Sequence, residues 1–336
     1  MRFDADPTGK QILVDPGELE LISFGGQGQI YKWEHQGKHY VIKAVLNDES
    51  VFRRLNQMRE AVERLAKGLG QRIPEGILKR AFPVGRGWVD NPEELGFDKS
   101  DQMTVIVYNW IDGEPLDSYL YSQLCSEPPL SSVRVKLAKQ VLELLAFLEK
   151  AGIANYDMFP DNFVVDPLGQ VYIIDMEGAG LFDPNTRTWV WTPVALGKNF
   201  PGYCKPPEFD AVDEDLKVFS YRWIGASLVF HILFGVSPFA FMRRIDLKAL
   251  LELYDYVDKG AIAWPPYGAE KTQYVNPRLD PAKFRTLIRS SCGVGSRGVC
   301  PLEMLAFLTF ISGFDKPAHR PSFEFARLIL SEVLAL

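Results

Sequence analysis

Between Ile153 and Gly178 the chain reads Ile-Ala-Asn-Tyr-Asp-Met-Phe-Pro-Asp-Asn-Phe-Val-Val and then, after Asp166-Pro167-Leu168-Gly169-Gln170, Val-Tyr-Ile-Ile-Asp-Met-Glu-Gly. The short apolar runs Phe163 to Val165 and Val171 to Ile174 flank a turn sequence, so the segment reads as a β-hairpin. Such a hairpin carries three polar side chains on its rims: Asp157, Asn162 five residues later, and Asp175 thirteen after that. Hard oxygen ligands of this kind suit Mg²⁺, which binds through few protein groups plus substrate phosphates. Taken singly, each is an ordinary turn residue.

A second constellation lies near the N-terminus. Ile22-Ser23-Phe24-Gly25-Gly26-Gln27-Gly28-Gln29-Ile30 separates two strand-like runs, and Tyr40-Val41-Ile42-Lys43 follows on a third. Glycine lets backbone amides approach a polyphosphate, and a strand lysine can reach its oxygens as a point charge. A glycine-rich turn and a solvated strand-end lysine are common by themselves.

The periodicities around these motifs change along the chain. Residues 19 to 46 alternate apolar and polar positions as three antiparallel strands, and 51 to 69 switch to helical spacing through Phe52, Leu55, Met58, Val62 and Leu65. Met103 to Trp110 is a strongly apolar strand that ends at Asp112-Gly113-Glu114-Pro115. Beyond it the pattern is mainly helical: a broad apolar stripe over 132 to 150, then helices over 215 to 235, 246 to 258, 281 to 289, 301 to 312 and 321 to 335. The division predicted is an N-terminal extension over 1 to 18, a small lobe over 19 to 110 and a large lobe over 111 to 336.

Length and composition set bounds on partners. At 336 residues, 47% apolar and 24% charged, the chain can bury a sizeable core throughout. A formal charge of −6 lacks the basic footprint of nucleic-acid binding, so no nucleic-acid partner is expected. The longest apolar run, Trp223 to Phe234, falls short of a membrane span, which needs roughly 18 to 20 residues, and reads as a buried helix. The N-terminus has no secretory core, so a cytoplasmic location is expected. Cys125, Cys204, Cys292 and Cys300 form no CxxC pair and are expected as reduced thiols, although Cys292 and Cys300 could close a small loop.

In order and spacing, these motifs resemble the protein-kinase superfamily from about Leu19 to Leu330. The resemblance implies an α+β, bilobal protein-kinase-like fold, with a small antiparallel β lobe plus a helix and a larger, mainly helical lobe. It implies ATP and Mg²⁺ as cofactors. Gly25 and Gly28 match two loop glycines, with Gly26 between them, and Lys43 matches the strand lysine. Asp157 matches the catalytic aspartate, Asn162 and Asp175 the metal ligands. A helix glutamate should hold Lys43; Glu60 and Glu63 both qualify, and Glu60 is favoured. By the same resemblance, adenine would lie among Ile22, Ile30, Val41 and Val164, with hinge backbone near Asn109 and Ile111. Pro206-Pro207-Glu208 resembles the Ala-Pro-Glu element and Arg320 its arginine partner, which predicts a buried Glu208–Arg320 ion pair.

The departures bear on activity. Ser23 replaces the first loop glycine, Asn155-Tyr156 stands where His-Arg is usual, Met176-Glu177 replaces Phe-Gly after Asp175, and Ser220 replaces an aspartate. Phe159 replaces the lysine that Ser/Thr kinases place near the transferred group. The reading is a phosphotransferase moving the ATP γ-phosphate to a protein hydroxyl, serine or threonine. The alternatives are a nucleotide-binding pseudokinase scaffold, or a small-molecule phosphotransferase or nucleotidyl transferase on the same fold.

Overall fold

The computed structural model describes residues 1–5, 12–25, 28–46, 49–99, 103–183, 186, 188–194, 205–210, 219–293 and 300–333. Gly26, and the stretch from Pro201 to Cys204, lie outside the described residues. The chain divides into two compact units. One comprises Met1–Gly113, Asp166–Leu168 and Tyr172–Glu177; the other comprises Glu114–Val165, Gly169–Val171 and Gly178–Leu336.

The first unit is built on a seven-stranded antiparallel sheet. Its strands are β1 (Arg2–Ala5), β2 (Ile12–Leu13), β3 (Leu19–Gly25), β4 (Gly28–His35), β5 (Lys38–Leu46), β6 (Gly85–Trp88) and β7 (Met103–Asn109), in the spatial order β2-β1-β6-β7-β5-β4-β3. The three strands expected over 19 to 46 are β3, β4 and β5. Strands β1, β2 and β6 were not legible in the sequence, because Gly85-Arg86-Gly87-Trp88 has no apolar alternation and β1 and β2 are short. Their pairing carries the N-terminal residues into the sheet, with Arg2 opposite Trp88.

Alternation along β5 sorts its side chains to two faces. Tyr40, Ile42 and Ala44 join Tyr31, Trp33, Val105 and Val107 in one core cluster, whereas Val41 and Val45 join Ile106 and Tyr108 in another, with Val51 of helix α1 (Glu49–Leu69) packed against it. Lys43, between Val41 and Val45, shares the second face. Helix α1 turns Leu55, Met58, Ala61, Val62 and Ala66 inward. A short helix α2 (Glu75–Leu78) follows.

The second unit is mainly helical, with short strands β8 (Glu114–Pro115), β9 (Ile153–Ala154) and β10 (Phe163–Val165) and helices α3 (Leu116–Ser122), α4 (Ser132–Lys150), α5 (Ser220–Phe234), α6 (Leu247–Tyr256), α7 (Pro281–Ser291), α8 (Pro301–Phe307) and α9 (Phe323–Val333). The apolar stripe expected over 132 to 150 is α4, which starts where the Ser131 hydroxyl accepts from the Arg134 amide. The helix read over 301 to 312 is shorter, because a π turn over Leu308–Ser312 follows α8. Helix α5 is apolar almost all round and is buried accordingly. Gly225 is required there, since a Cβ would come 2.4 Å from the Phe323 ring. Among the described residues no helix is long and apolar enough to cross a membrane.

Two carboxylates, the partly buried Glu149 and the buried Glu208, tie these helices together. Glu149 of α4 accepts from Tyr221 Oη at 2.7 Å, Arg222 Nε at 2.7 Å and the Phe323 amide at 2.9 Å. Glu208 meets Arg320, with Nη2 to Oε2 at 2.8 Å, and takes a further bond at 2.6 Å from the Ser220 hydroxyl. This is the ion pair expected from the sequence, and Arg320 also lies 5.0 Å over the Trp223 ring. The cysteine expectation is corrected: Cys292, at the end of α7, and Cys300, just before α8, form a disulfide, with Cα atoms 6.3 Å apart. The ends of the two helices bring the thiols together, which linear spacing could not reveal.

Removing one member of the Glu208–Arg320 pair strands a buried charge. Glu208→Ala should therefore destabilise the protein by about 3–5 kcal/mol in urea unfolding, and the double change Glu208→Leu/Arg320→Met should cost clearly less.

Candidate active site

The site in the first unit begins with a buried cation. Lys43 is held by its neighbours on β5 among Val41, Val45, Ile106 and Tyr108, where an ammonium is costly without compensating charge. Two carboxylates supply that charge: Lys43 Nζ donates to Asp175 Oδ1 at 2.8 Å and lies 3.1 Å from Glu177 Oε1. Both come from the segment just after β11 (Val171–Ile173), in which Asp175 takes a left-handed φ of 56°. Positive φ is uncommon for a residue other than glycine and recurs at functional sites.

Glu177 is the more firmly fixed carboxylate. Its side chain is 6% exposed against 30% for Asp175. Tyr108 Oη donates to Glu177 Oε1 at 2.7 Å, and Arg54 Nη1 of α1 donates to the Glu177 backbone carbonyl at 3.0 Å. The Arg80 guanidinium lies 4.6 Å over the Tyr108 ring. Met176 between the two carboxylates is wholly buried.

One ammonium balances one carboxylate, so the second tends to keep a proton. Burial pushes the Asp175 carboxyl up, to about 8, and the neighbouring Glu177 charge adds to that rise. Burial acts on Glu177 in the same direction, but the Lys43 ammonium and hydrogen bonds from Asp175 and Tyr108 outweigh it and hold Glu177 low, at about 2. Burial likewise opposes the charge on Lys43, and the two carboxylates overcome it and raise its pKa.

The expected lysine partner is therefore corrected. Glu60 is 63% exposed and pairs with Arg64 one turn on, and Glu63 is exposed as well. The helical period that turns Leu55, Met58 and Val62 inward turns these glutamates to solvent. Glu177 stands in their place. A cue was present in the sequence, as an acidic residue where the metal motif usually has glycine.

At the glycine-rich stretch Gly25 of β3 is paired opposite Gly28 of β4. Gly28 has φ 148°, and a Cβ there would meet the Ala44 carbonyl at 1.9 Å, so packing on β5 already demands glycine. Ile22 sits at a register shift in β3 and is 46% exposed, Ile30 is partly buried and Val41 is buried. At the end of β7, Asn109 Nδ2 donates to the Lys79 carbonyl at 2.9 Å, and the adjoining Trp110 amide bonds to His39 O. Asn109, Trp110 and Ile111 line a cavity of about 650 Å³ with Lys38, Lys79 and Tyr172.

The second unit carries the other motif residues. Asn155 is buried, and its Oδ1 accepts from the Asp157 amide at 2.9 Å, which shapes the loop as an Asx turn. Asn162 Nδ2 donates to the Asp157 carbonyl at 2.7 Å. That bond commits the amide nitrogen and leaves the amide oxygen as an acceptor. Tyr156, where an arginine is usual, is buried. Val164, on strand β10 (Phe163–Val165), pairs with Pro115.

The proton balance has a measurable consequence. Asp175 has a folded-state pKa above its ordinary value of 3.8. Its contribution to stability is therefore complete below that ordinary value and is lost as pH rises through about 8. Melts of the divalent-free protein should show stability falling over this window, and Asp175→Asn should flatten the slope.

No family model matches the chain. It is 23% identical over 263 residues to serine/threonine-protein kinase Sgk3 of Rattus norvegicus, covering 75% of this chain and 45% of that protein. It is 24% identical over 248 residues to Sgk3 of Mus musculus, covering 71% and 42%. With cAMP-dependent protein kinase type 3 of Saccharomyces cerevisiae the identity is 22% over 264 residues, covering 78% and 57%. The chain thus spans about half the length of the relatives it matches. In fold class, order of motifs and sequence likeness, the chain is similar to serine/threonine protein kinases.

Proposed function

We propose that this chain is an ATP-dependent phosphotransferase that moves the γ-phosphate to a serine or threonine hydroxyl of a protein. The observation that carries the reading is the buried Lys43 ammonium held 2.8 Å from Asp175. A cation buried at a desolvation cost and fixed beside a carboxylate serves polyphosphate better than it serves packing. Protein substrates and the choice of serine or threonine follow the kinases it resembles.

The donors present suit the cofactors. Asp175 and the amide oxygen of Asn162 are hard ligands that would hold Mg²⁺, and the ion would neutralise phosphate charge there. By the resemblance, Ile22, Ile30 and Val41 of the first unit would offer apolar surface for a base, with Asn109 and Ile111 supplying hinge backbone, and Val164 is the second unit's counterpart. Lys43 would orient phosphate oxygens as a point charge, while Gly25, Gly26 and Gly28 keep side chains out of their way. Asp157, on a loop shaped by Asn155 and Asn162, would align the acceptor hydroxyl and take its proton. The chain's share of catalysis is therefore positioning and charge stabilisation.

A second reading, a nucleotide-binding scaffold without turnover, draws on the engagement of Asp175 by Lys43 and its raised proton affinity, both of which oppose metal binding. Two substitutions separate the readings. Asp175→Asn should remove Mg²⁺-dependent ATP stabilisation and turnover together, because a charged ligand is lost. Asp157→Asn should keep the thermal shift given by Mg·ATP and lower turnover by about 10²- to 10⁴-fold, the range for a lost general base. The assay is thermal melting with Mg·ATP beside transfer of labelled phosphate to a generic protein acceptor. Binding without transfer, equal in wild type and Asp157→Asn, would leave the scaffold reading; absence of Mg·ATP binding to the wild type would remove both.

A further inference from the structure

We propose that Glu177, rather than a glutamate of α1, is the positioning residue that holds Lys43 in its working orientation, an inference that rests on the phosphotransfer reading for its catalytic meaning. The alignment of the lysine is then built into the segment that follows β11 and requires no carboxylate from α1.

Three observations converge on it. Glu177 Oε1 lies 3.1 Å from Lys43 Nζ, and its carboxylate is almost fully buried. The residue is pinned twice over, by Tyr108 Oη on Oε1 at 2.7 Å and by Arg54 on its backbone carbonyl at 3.0 Å. Helix α1 meanwhile presents Arg54, Leu55, Met58 and Val62 inward and leaves Glu60 on its outer face, paired with Arg64. What α1 contributes here is a cation that fixes the carboxylate's own backbone.

Charge balance explains why a second carboxylate is useful. If Asp175 were the sole counter-ion of Lys43, each gain in metal binding would strip the buried ammonium of its partner, at a desolvation cost. Glu177 meets that need with a second carboxylate, one already engaged by Lys43 and Tyr108. Asp175 can then turn to a cation while Lys43 stays compensated and held near the phosphates. Arginine at position 54, tyrosine at 108 and glutamate at 177 thus form a support for Lys43 that no single motif contains.

The test uses the full chain. Glu177→Gln should lower kcat/KM for Mg·ATP by about 10²-fold, the scale of one preorganised electrostatic contact. Glu60→Gln should change it by less than about twofold, as for an exposed ion pair. In a Lys43→Ala background, Glu177→Gln should cost almost nothing further, because the two act as one unit. A residue that only supports the fold would cost the same factor in both backgrounds. Glu177→Asp, which keeps the charge, should recover part of the loss, and it replaces Glu177→Gln throughout if the latter does not fold. Equal losses in Glu60→Gln and Glu177→Gln, or multiplicative losses in the double variant, would overturn the proposal. Urea unfolding of the wild type, Lys43→Ala, Glu177→Gln and their double variant gives an arm independent of turnover: destabilisation by the two changes should be clearly less than additive. If the wild type neither binds nor turns over Mg·ATP, the phosphotransfer reading falls and this arm decides alone, with additive costs overturning the Lys43–Glu177 assignment.

Discussion

A buried lysine ammonium is the constraint around which the first unit is organised. Lys43 lies on the same face of β5 as Val41 and Val45, in surroundings that would reject an uncompensated charge. Two carboxylates answer it, and their mutual repulsion is relieved by a proton and by the phenol of Tyr108. Each support has its own support: Arg54 fixes the Glu177 backbone, and Arg80 covers the Tyr108 ring. The arrangement commits β5, β7, α1 and the segment after β11 to one local geometry. It also gives the acidic residue two positions after Asp175 a partner in the buried charge of Lys43.

The second unit solves a similar problem with a different ratio of charges. Arg320 is a buried cation there, and the single carboxylate of Glu208 meets it, with the Ser220 hydroxyl donating to that carboxylate. Ser220 occupies a position where the resemblance leads one to expect aspartate, and an acidic group there would bring a second negative charge onto Glu208. Around the pair, Trp223, Phe239, Trp264 and Phe310 pack edge to face and stacked, which gives the helices a rigid aromatic centre. Glu149 adds a junction of α4, α5 and α9 through three hydrogen bonds.

The substitutions in the motifs are absorbed by packing. Met176 is buried where the family usually has an aromatic residue, and a flexible thioether fills such a gap readily. Tyr156 is buried where arginine is usual, so the loop gains an apolar anchor in place of a phosphate receptor. Asn155 keeps the turn before Asp157 by accepting its amide. Trp189 packs edge-on to Phe182 at 5.3 Å, on a strand paired with 180 to 183, so packing already accounts for that aromatic residue.

The sequence by itself determined the periodic elements and the order of the chemistry-bearing residues. Strands β3 to β5, helices α1 and α4, the apolar β7 and the Glu208–Arg320 pair were legible because each is written in local alternation, helical spacing or a motif with a fixed partner. Strands β1, β2 and β6 were not, since their stability comes from neighbours in the sheet rather than from their own apolar content. The partner of Lys43 was misassigned for a related reason: Glu60 and Glu63 satisfy the spacing along α1, but which face of a helix turns inward is decided by what it packs against. The need for glycine at position 28 was visible, though its cause is the Ala44 carbonyl 1.9 Å from where a Cβ would stand. The Cys292–Cys300 bond depended likewise on two helix ends meeting. Local pattern fixes what a segment can be, whereas contacts made across long separations choose which charges meet, and only the tertiary structure supplies those contacts.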